Sequence, residues 1–181
     1  VDVEPALAEV LADAQRLGFL GARPIEDVIE HARSFVAALT GLPAGASVLD
    51  LGAGGGVPGL VIAHDRPDLR VTLLDRRTKR TDALERAVRR LRWTQTVSVL
   101  AADAVTVARS RSASFDAVVA RGFGPPDETL AIAARLCVGG GRIVISEPPI
   151  GDRWDPAVLD AARVERVAAP HGVAVFTRRF T

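Results

Sequence analysis

An α/β fold is predicted for this chain: a mostly parallel seven-stranded sheet with helices on both faces, preceded by an N-terminal helical cap. Three observations predict it. Short apolar runs alternate with stretches of helical periodicity between residues 47 and 146, the pattern of βαβ units whose strands lie parallel and buried. The first run, Val48 to Leu51, passes straight into four glycines within five residues, Gly52 and Gly54–Gly56, a loop bare enough for a ligand to approach the backbone. The chain has 181 residues, 48% hydrophobic and 25% charged, which suits one domain with a sizeable core.

The elements follow in order. Val3, Leu7, Val10, Leu11 and Leu17 recur at helical spacing until Gly18 interrupts them, and Arg23-Pro24 marks a new start. Ile25, Val28, Ile29, Phe35, Val36 and Leu39 then describe an amphipathic helix that ends near Thr40-Gly41. These two helices make a cap over residues 1–44, and residues 45–181 make the core. Within the core the spacing predicts strands at 47–51, 70–75, 96–101, 116–120 and 141–146, with helices at 57–66, 78–91, 104–109 and 126–136. Arg66-Pro67-Asp68 ends one helix, Gly139-Gly140-Gly141 leads into the fifth strand, and Pro148-Pro149 ends it. After Trp154 a short helix at 156–161 precedes two strands, 163–168 and 172–177, paired as a hairpin around Pro170-His171-Gly172.

Composition excludes several classes of protein. No apolar run approaches the roughly 20 residues that span a bilayer, and the N-terminus has no basic region followed by an apolar one. A cytoplasmic protein without membrane attachment is expected, and a start at Val1 suggests a processed or trimmed chain. Cys137 is the single cysteine, so one chain offers neither a disulfide nor a thiolate metal cluster. It lies in an Ala/Leu-rich helical pattern and is read as a small core residue. The basic residues are unevenly placed: Arg76, Arg77, Lys79, Arg80, Arg86, Arg89, Arg90 and Arg92 face only Asp82 and Glu85 over the same stretch. Such a stripe either meets phosphates or forms a solvated helix face.

The glycine spacing selects the cofactor class. A dinucleotide loop needs Gly-x-Gly-x-x-Gly, and Val57 stands where the last glycine would be. The spacing present is acid-x-Gly-x-Gly-x-Gly, as Asp50, Gly52, Gly54 and Gly56, which resembles the first motif of class I S-adenosyl-L-methionine-dependent methyltransferases. That resemblance implies a Rossmann-like class I methyltransferase fold in which Asp50 holds the cofactor ammonium through water or backbone. Gly52, Ala53, Gly54 and Gly56 would then make room for the methionine chain. Asp75 ends the second strand 23 residues after Gly52, where an acid accepts bonds from both ribose hydroxyls, with Arg76 beside it. Asp103 and Ala104 follow the third strand and are placed to meet the adenine edge. Asp75 and Asp103 are equally suited to cap the helices that start at 78 and 104.

More of the chain resembles one branch of these enzymes, the RsmG (GidB) family of small-subunit ribosomal RNA guanine-N7 methyltransferases, over roughly residues 20 to 180. Leu51 to Gly59 is similar to its glycine loop followed by Pro-Gly. Leu73-Leu74-Asp75-Arg76-Arg77-Thr78-Lys79-Arg80 is similar to its leucine pair, acid and basic pair, and Phe115 to Arg121 to the stretch that ends in Ser-Arg-Ala. Glu30-His31 resembles a histidine ahead of the family core. The resemblance implies methyl transfer to N7 of a guanine in 16S ribosomal RNA or the 30S subunit, with the Arg76 to Arg92 stripe meeting the RNA. Two stretches depart from it: Glu147-Pro148 stands in place of a Lys-Gly pair, and Arg121-Gly122-Phe123-Gly124-Pro125-Pro126 replaces an Ala-rich continuation.

Guanine N7 carries a lone pair at neutral pH and needs no general base; the three histidines, His31, His64 and His171, stand far apart in the sequence. Arg121, at the end of the fourth strand, is the leading active-site candidate, since open α/β sheets bind ligands at that edge. It suits a carboxylate, a purine oxygen or a surface ion pair. Phe123 is placed to stack on a base or to pack in the core. Glu147 is the third candidate, placed to position an amine or hydroxyl acceptor. Its charge favours a second reading, a methyltransferase of the same fold acting on a small molecule or another RNA. A non-catalytic module that binds the cofactor or RNA is a third.

Overall fold

The computed structural model describes residues 3–148 and 153–180. Two helices come first, α1 (Val3–Arg16) and α2 (Ile25–Ala38). The alternation then runs β1 (Ser47–Leu51), α3 (Gly59–Asp65), β2 (Arg70–Asp75), α4 (Thr78–Leu91), β3 (Val97–Ala101), α5 (Ala104–Ser110), β4 (Phe115–Ala120), α6 (Pro126–Leu136) and β5 (Cys137–Ser146). Helix α7 (Pro156–Ala162), β6 (Val164–Val167) and β7 (Val173–Arg178) complete it.

Among the described residues the strands form one open sheet in the order β3-β2-β1-β4-β5-β7-β6. Strands β1 to β5 pair in parallel, whereas β7 pairs antiparallel with both β5 and β6. The order therefore reverses between β1 and β4, and the crevice at their carboxyl ends is where such sheets take ligands. Alternate strand residues serve opposite faces, as a period of two requires. Val48, Val71, Leu73, Ala117 and Val144 pack with α1 to α4 around Leu11, Phe35, Leu60 and Leu84. Leu49, Leu51, Leu74, Val118 and Ile143 pack with α5 to α7 around Val107, Leu130 and Trp154.

The cap is docked by polar contacts as well as by apolar burial. Arg142 of β5 donates to the carbonyls of Ala38 and Thr40, both at 2.7 Å, satisfying acceptors that the end of α2 leaves without helical partners. Arg90 of α4 pairs with Glu9 and Asp13 of α1. Gln15 donates to the carbonyls of Gly21 and Arg23 and so shapes the linker between α1 and α2.

Two expectations are corrected. The fifth strand begins at Cys137, not at 141, so Cys137 is a buried strand residue outside the helical pattern around it. Phe115 pairs with Cys137 and Ala117 with Arg142, a register shift that takes up the extra residues Val138 to Gly141. The third helix starts at Gly59 rather than 57, because Val57 and Pro58 belong to the preceding turn. The hairpin lies as expected. Pro149 falls outside the described residues, as do Val1, Asp2, residues 150–152 and Thr181.

Candidate functional site

The loop between β1 and α3 forms the floor of the site. Gly52, Gly54 and Gly56 have φ of +76°, +55° and +98°, a region closed to most side chains, which accounts for glycine at all three motif positions. The loop is tied to β2 by Ala53 N–H donating to the Leu74 carbonyl at 2.8 Å and by Gly54 N–H donating to Asp75 Oδ2 at 3.0 Å. Its outer side is covered by the α1–α2 linker. A Cβ on Gly55 would lie 2.9 Å from the Phe19 carbonyl oxygen and 2.5 Å from Leu20 Cγ.

Asp50 lies beneath this loop, fully buried. Its Oδ2 accepts the Gly59 N–H at 2.8 Å, satisfying one of the unpaired donors at the start of α3, and its Oδ1 has no partner. Burial pushes its pKa up to about 7, against the lowering effects of the Gly59 bond and the nearby Arg121 guanidinium. A buried polar atom without a partner is unfavourable unless a ligand or water supplies one.

A cleft of about 330 Å³ opens beside the loop, within the size range of small-molecule sites. Of the expected residues, Gly52, Asp75, Arg76, Asp103, Ala104 and Phe123 line it together. Asp75 is buried, with Oδ1 accepting the Arg77 N–H at 2.9 Å and Oδ2 shared between Gly54 N–H and Arg80 at 3.5 Å. It does not cap α4, whose N-cap is Arg77 without a side-chain bond. Asp103 does cap α5: its Oδ1 accepts from the amides of Val105 and Thr106. Phe123 lies against the loop, so that a Cβ on Gly52 would meet its ring at 2.5 Å. Ala53 and Gly56 are buried supports outside the cleft lining. Gly54 lines a second, more apolar cleft of about 390 Å³ between α1 and α4. Arg80, seated over the Phe19 ring and paired with Asp75, lies close to both.

Neither Arg121 nor Glu147 lines this cleft. Arg121 is half-buried, and burial together with Arg23 holds its pKa below the usual guanidinium value while Asp50 opposes the shift. Glu147 is 12% exposed at its side chain. Its carboxylate accepts the Trp154 indole N–H at 2.9 and 3.0 Å and pairs with Arg153 and Arg166, each at 3.3 Å. Trp154 in turn stands edge-on to Phe176 at 4.7 Å. Glu147 thus binds the end of β5 to the start of the α7 segment and to β6.

Sequence reasoning missed two residues. His31 and His171, 140 positions apart in the chain, come within electrostatic reach of each other and of Arg121. No sequence spacing could have signalled this, since α2 and the β6–β7 turn meet only through the folded sheet.

Residues 6–147, which contain this loop, the acids at successive strand ends and the Pro-Gly start of α3, match the family model described as GidB, rRNA small subunit methyltransferase G. The chain belongs to this family. A Salinispora tropica ribosomal RNA small subunit methyltransferase G is 34% identical over 164 residues, covering 88% of this chain and 63% of the relative. The chain thus spans somewhat under two thirds of that family member's length. Among solved structures, a precorrin-6y C5,15-methyltransferase from Geobacter metallireducens superposes with a TM-score of 0.62 at 16% identity, covering 82% of this chain and 87% of the other, a likeness of fold. An S-adenosyl-L-methionine-dependent methyltransferase from Thiobacillus denitrificans, in complex with S-adenosyl-L-homocysteine, is 28% identical with a TM-score of 0.55. It covers 65% of this chain and 48% of the other.

Proposed function

We propose that this chain is an S-adenosyl-L-methionine-dependent methyltransferase that modifies N7 of a guanine in 16S ribosomal RNA. The observation that carries the reading is a nucleoside-sized cleft with Asp75 and Asp103 on one side of a positive-φ glycine loop, in a chain of the small-subunit methyltransferase G family.

The residues present fit the cofactor. Asp75 at the strand end suits the ribose hydroxyls and the Ala102 to Ala104 turn the adenine edge, and Asp50, whose buried Oδ1 has no protein partner, would hold the ammonium through water or backbone. Bound S-adenosyl-L-methionine supplies a sulfonium methyl group that a lone pair displaces in line. The protein then has to align the acceptor and keep the site dry, and no proton need be removed from a neutral N7. Phe123 offers a flat apolar surface at the cleft, and Arg121 a donor beside Asp50. RNA would be met by the α4 stripe, where Arg76, Arg77, Lys79, Arg86 and Arg92 are exposed and form no ion pair among the described residues. Arg80, Arg89 and Arg90 are engaged by Asp75, by Glu85, and by Glu9 with Asp13. We place the protein in the cytoplasm, where this substrate is made; no helix among the described residues is long and apolar enough to cross a membrane.

The charge of Glu147, which favours a small-molecule acceptor, has a local use in holding Trp154, Arg153 and Arg166, so it gives that alternative no independent support. Calorimetry with S-adenosyl-L-homocysteine tests the cofactor assignment. Asp75→Ala should weaken binding about 10- to 100-fold, as expected for lost hydrogen bonds to a charged group; equal affinity in parent and variant would refute it.

A further inference from the structure

Arg80 stands where a cation is locally unfavourable. It belongs to the first turn of α4, beside Lys79 and with no acid in that turn, and the positive end of a helix repels a cation there. Among the described residues Asp75 is the only side chain that pairs with it, Nη1 to Oδ2 at 3.5 Å. The guanidinium is also held from the linker side. Its Cζ lies 5.9 Å from the centroid of the Phe19 ring, within cation–π range, and a Cβ on Gly54 would stand 3.6 Å from Nη1. A break with local helix preference, compensated by one buried acid, is of the kind expected at a functional site.

The carboxylate of Asp75 is held from three directions. Arg77 N–H donates to Oδ1 at 2.9 Å and Gly54 N–H to Oδ2 at 3.0 Å, both from the backbone. Arg80 is the third donor, the one that belongs to a side chain and carries a charge. The Asp75 side chain is 6% exposed and that of Arg80 26%, and a buried acid needs such a counter-charge. Both residues line the nucleoside cleft. We propose that Arg80 is a positioning residue for cofactor binding, which fixes the Asp75 carboxylate where it accepts the ribose hydroxyls and touches no reacting atom itself. This rests on the S-adenosyl-L-methionine reading of the cleft. Through Phe19 the α1–α2 linker then contributes to a site otherwise built from the α/β core.

Affinity for S-adenosyl-L-homocysteine is measured by calorimetry for the parent, Arg80→Ala, Asp75→Ala and the double variant. The parent and Arg80→Ala are also measured with the 2′,3′-dideoxy analogue of that ligand, which lacks both hydroxyls. Arg80→Ala should weaken S-adenosyl-L-homocysteine binding about three- to tenfold. In the Asp75→Ala background the same change should alter affinity by less than about twofold, and the dideoxy analogue should bind parent and Arg80→Ala within about twofold of each other. A general distortion of the cleft would weaken both ligands alike. That result, equal losses in both backgrounds, or an Arg80→Ala variant that binds like the parent would each overturn positioning through Asp75 and leave the cofactor reading standing. A parent that does not bind S-adenosyl-L-homocysteine, or Asp75→Ala with the parent's affinity, would refute the cofactor reading and this role together.

Discussion

Asp50 is the residue at which structure and function pull apart. It caps an amide of α3 with one oxygen and leaves the other buried and unpartnered, a strained arrangement of the kind found at functional sites. Its folded pKa of about 7, raised from 3.8 by burial, fixes the sign of a pH effect. A carboxyl that binds its proton more tightly when folded stabilises the protein fully below pH 4. That stability is lost as pH rises towards and through 7. Asp50→Asn should therefore flatten the decline in unfolding free energy between pH 4 and 8 and raise stability at pH 8 by about 2–4 kcal/mol. Urea unfolding across that range measures it, and a variant with the parent's pH slope would show that Asp50 is charged and satisfied in the free protein. The motif spacing singled out Asp50. Its missing partner was not legible in the sequence, because that depends on which groups surround the side chain after folding.

At the scale of elements, two connections hold the site, and each can be broken by one change. The α1–α2 linker covers the glycine loop so closely at Gly55 that a methyl group would meet a backbone carbonyl, which cannot yield as a side chain end can. Gly55→Ala should lift the linker and cost about 1–3 kcal/mol. S-adenosyl-L-homocysteine affinity should fall with it; a variant with the parent's melting temperature and affinity would mean the linker is not seated there. The second connection is Glu147, whose carboxylate joins β5 to Trp154, Arg153 and Arg166. Removing it takes away the acceptor it provides to a buried indole and leaves two guanidinium groups facing each other. Glu147→Ala should lower stability by about 1–3 kcal/mol, a fall of roughly 2–12 °C in Tm for a chain of this size, and Glu147→Gln should recover part of it. Melting of Glu147→Ala with the parent would remove the latch. From sequence Glu147 read as a departure beside the acceptor, since charge is visible there but a partner supplied by Trp154 seven residues on is not.

Over the whole molecule, the alternation of apolar runs with helical periods made the α/β order legible. Short strands buried almost along their whole length, such as β1 and β4, alternate with helices such as α4 that bury one face through Thr81, Leu84, Val88 and Leu91, and strands β1 to β4 begin and end within a residue of the apolar runs that mark them. The early start of β5 was hidden because three glycines read as a turn, yet they belong to the strand, within the register shift between the Phe115–Cys137 and Ala117–Arg142 pairs. That Asp75 and Asp103 line one cleft was legible because these acids stand at consecutive strand ends, which the sequence orders. The approach of His31 on α2 to Gly172 in the β6–β7 turn was not, because these elements meet only across the sheet. The α4 stripe combines both cases: its arginines are visible in the sequence, but only the structure separates those engaged by α1 and Asp75 from those left exposed. Methyl transfer from labelled S-adenosyl-L-methionine to 30S subunits, followed by digestion of the 16S ribosomal RNA and identification of the labelled nucleoside, tests the proposed reaction itself. A single labelled product, 7-methylguanosine, is expected at about one per RNA and lost in Asp75→Ala. Label in any other nucleoside, or none from a protein that binds S-adenosyl-L-homocysteine, would contradict it.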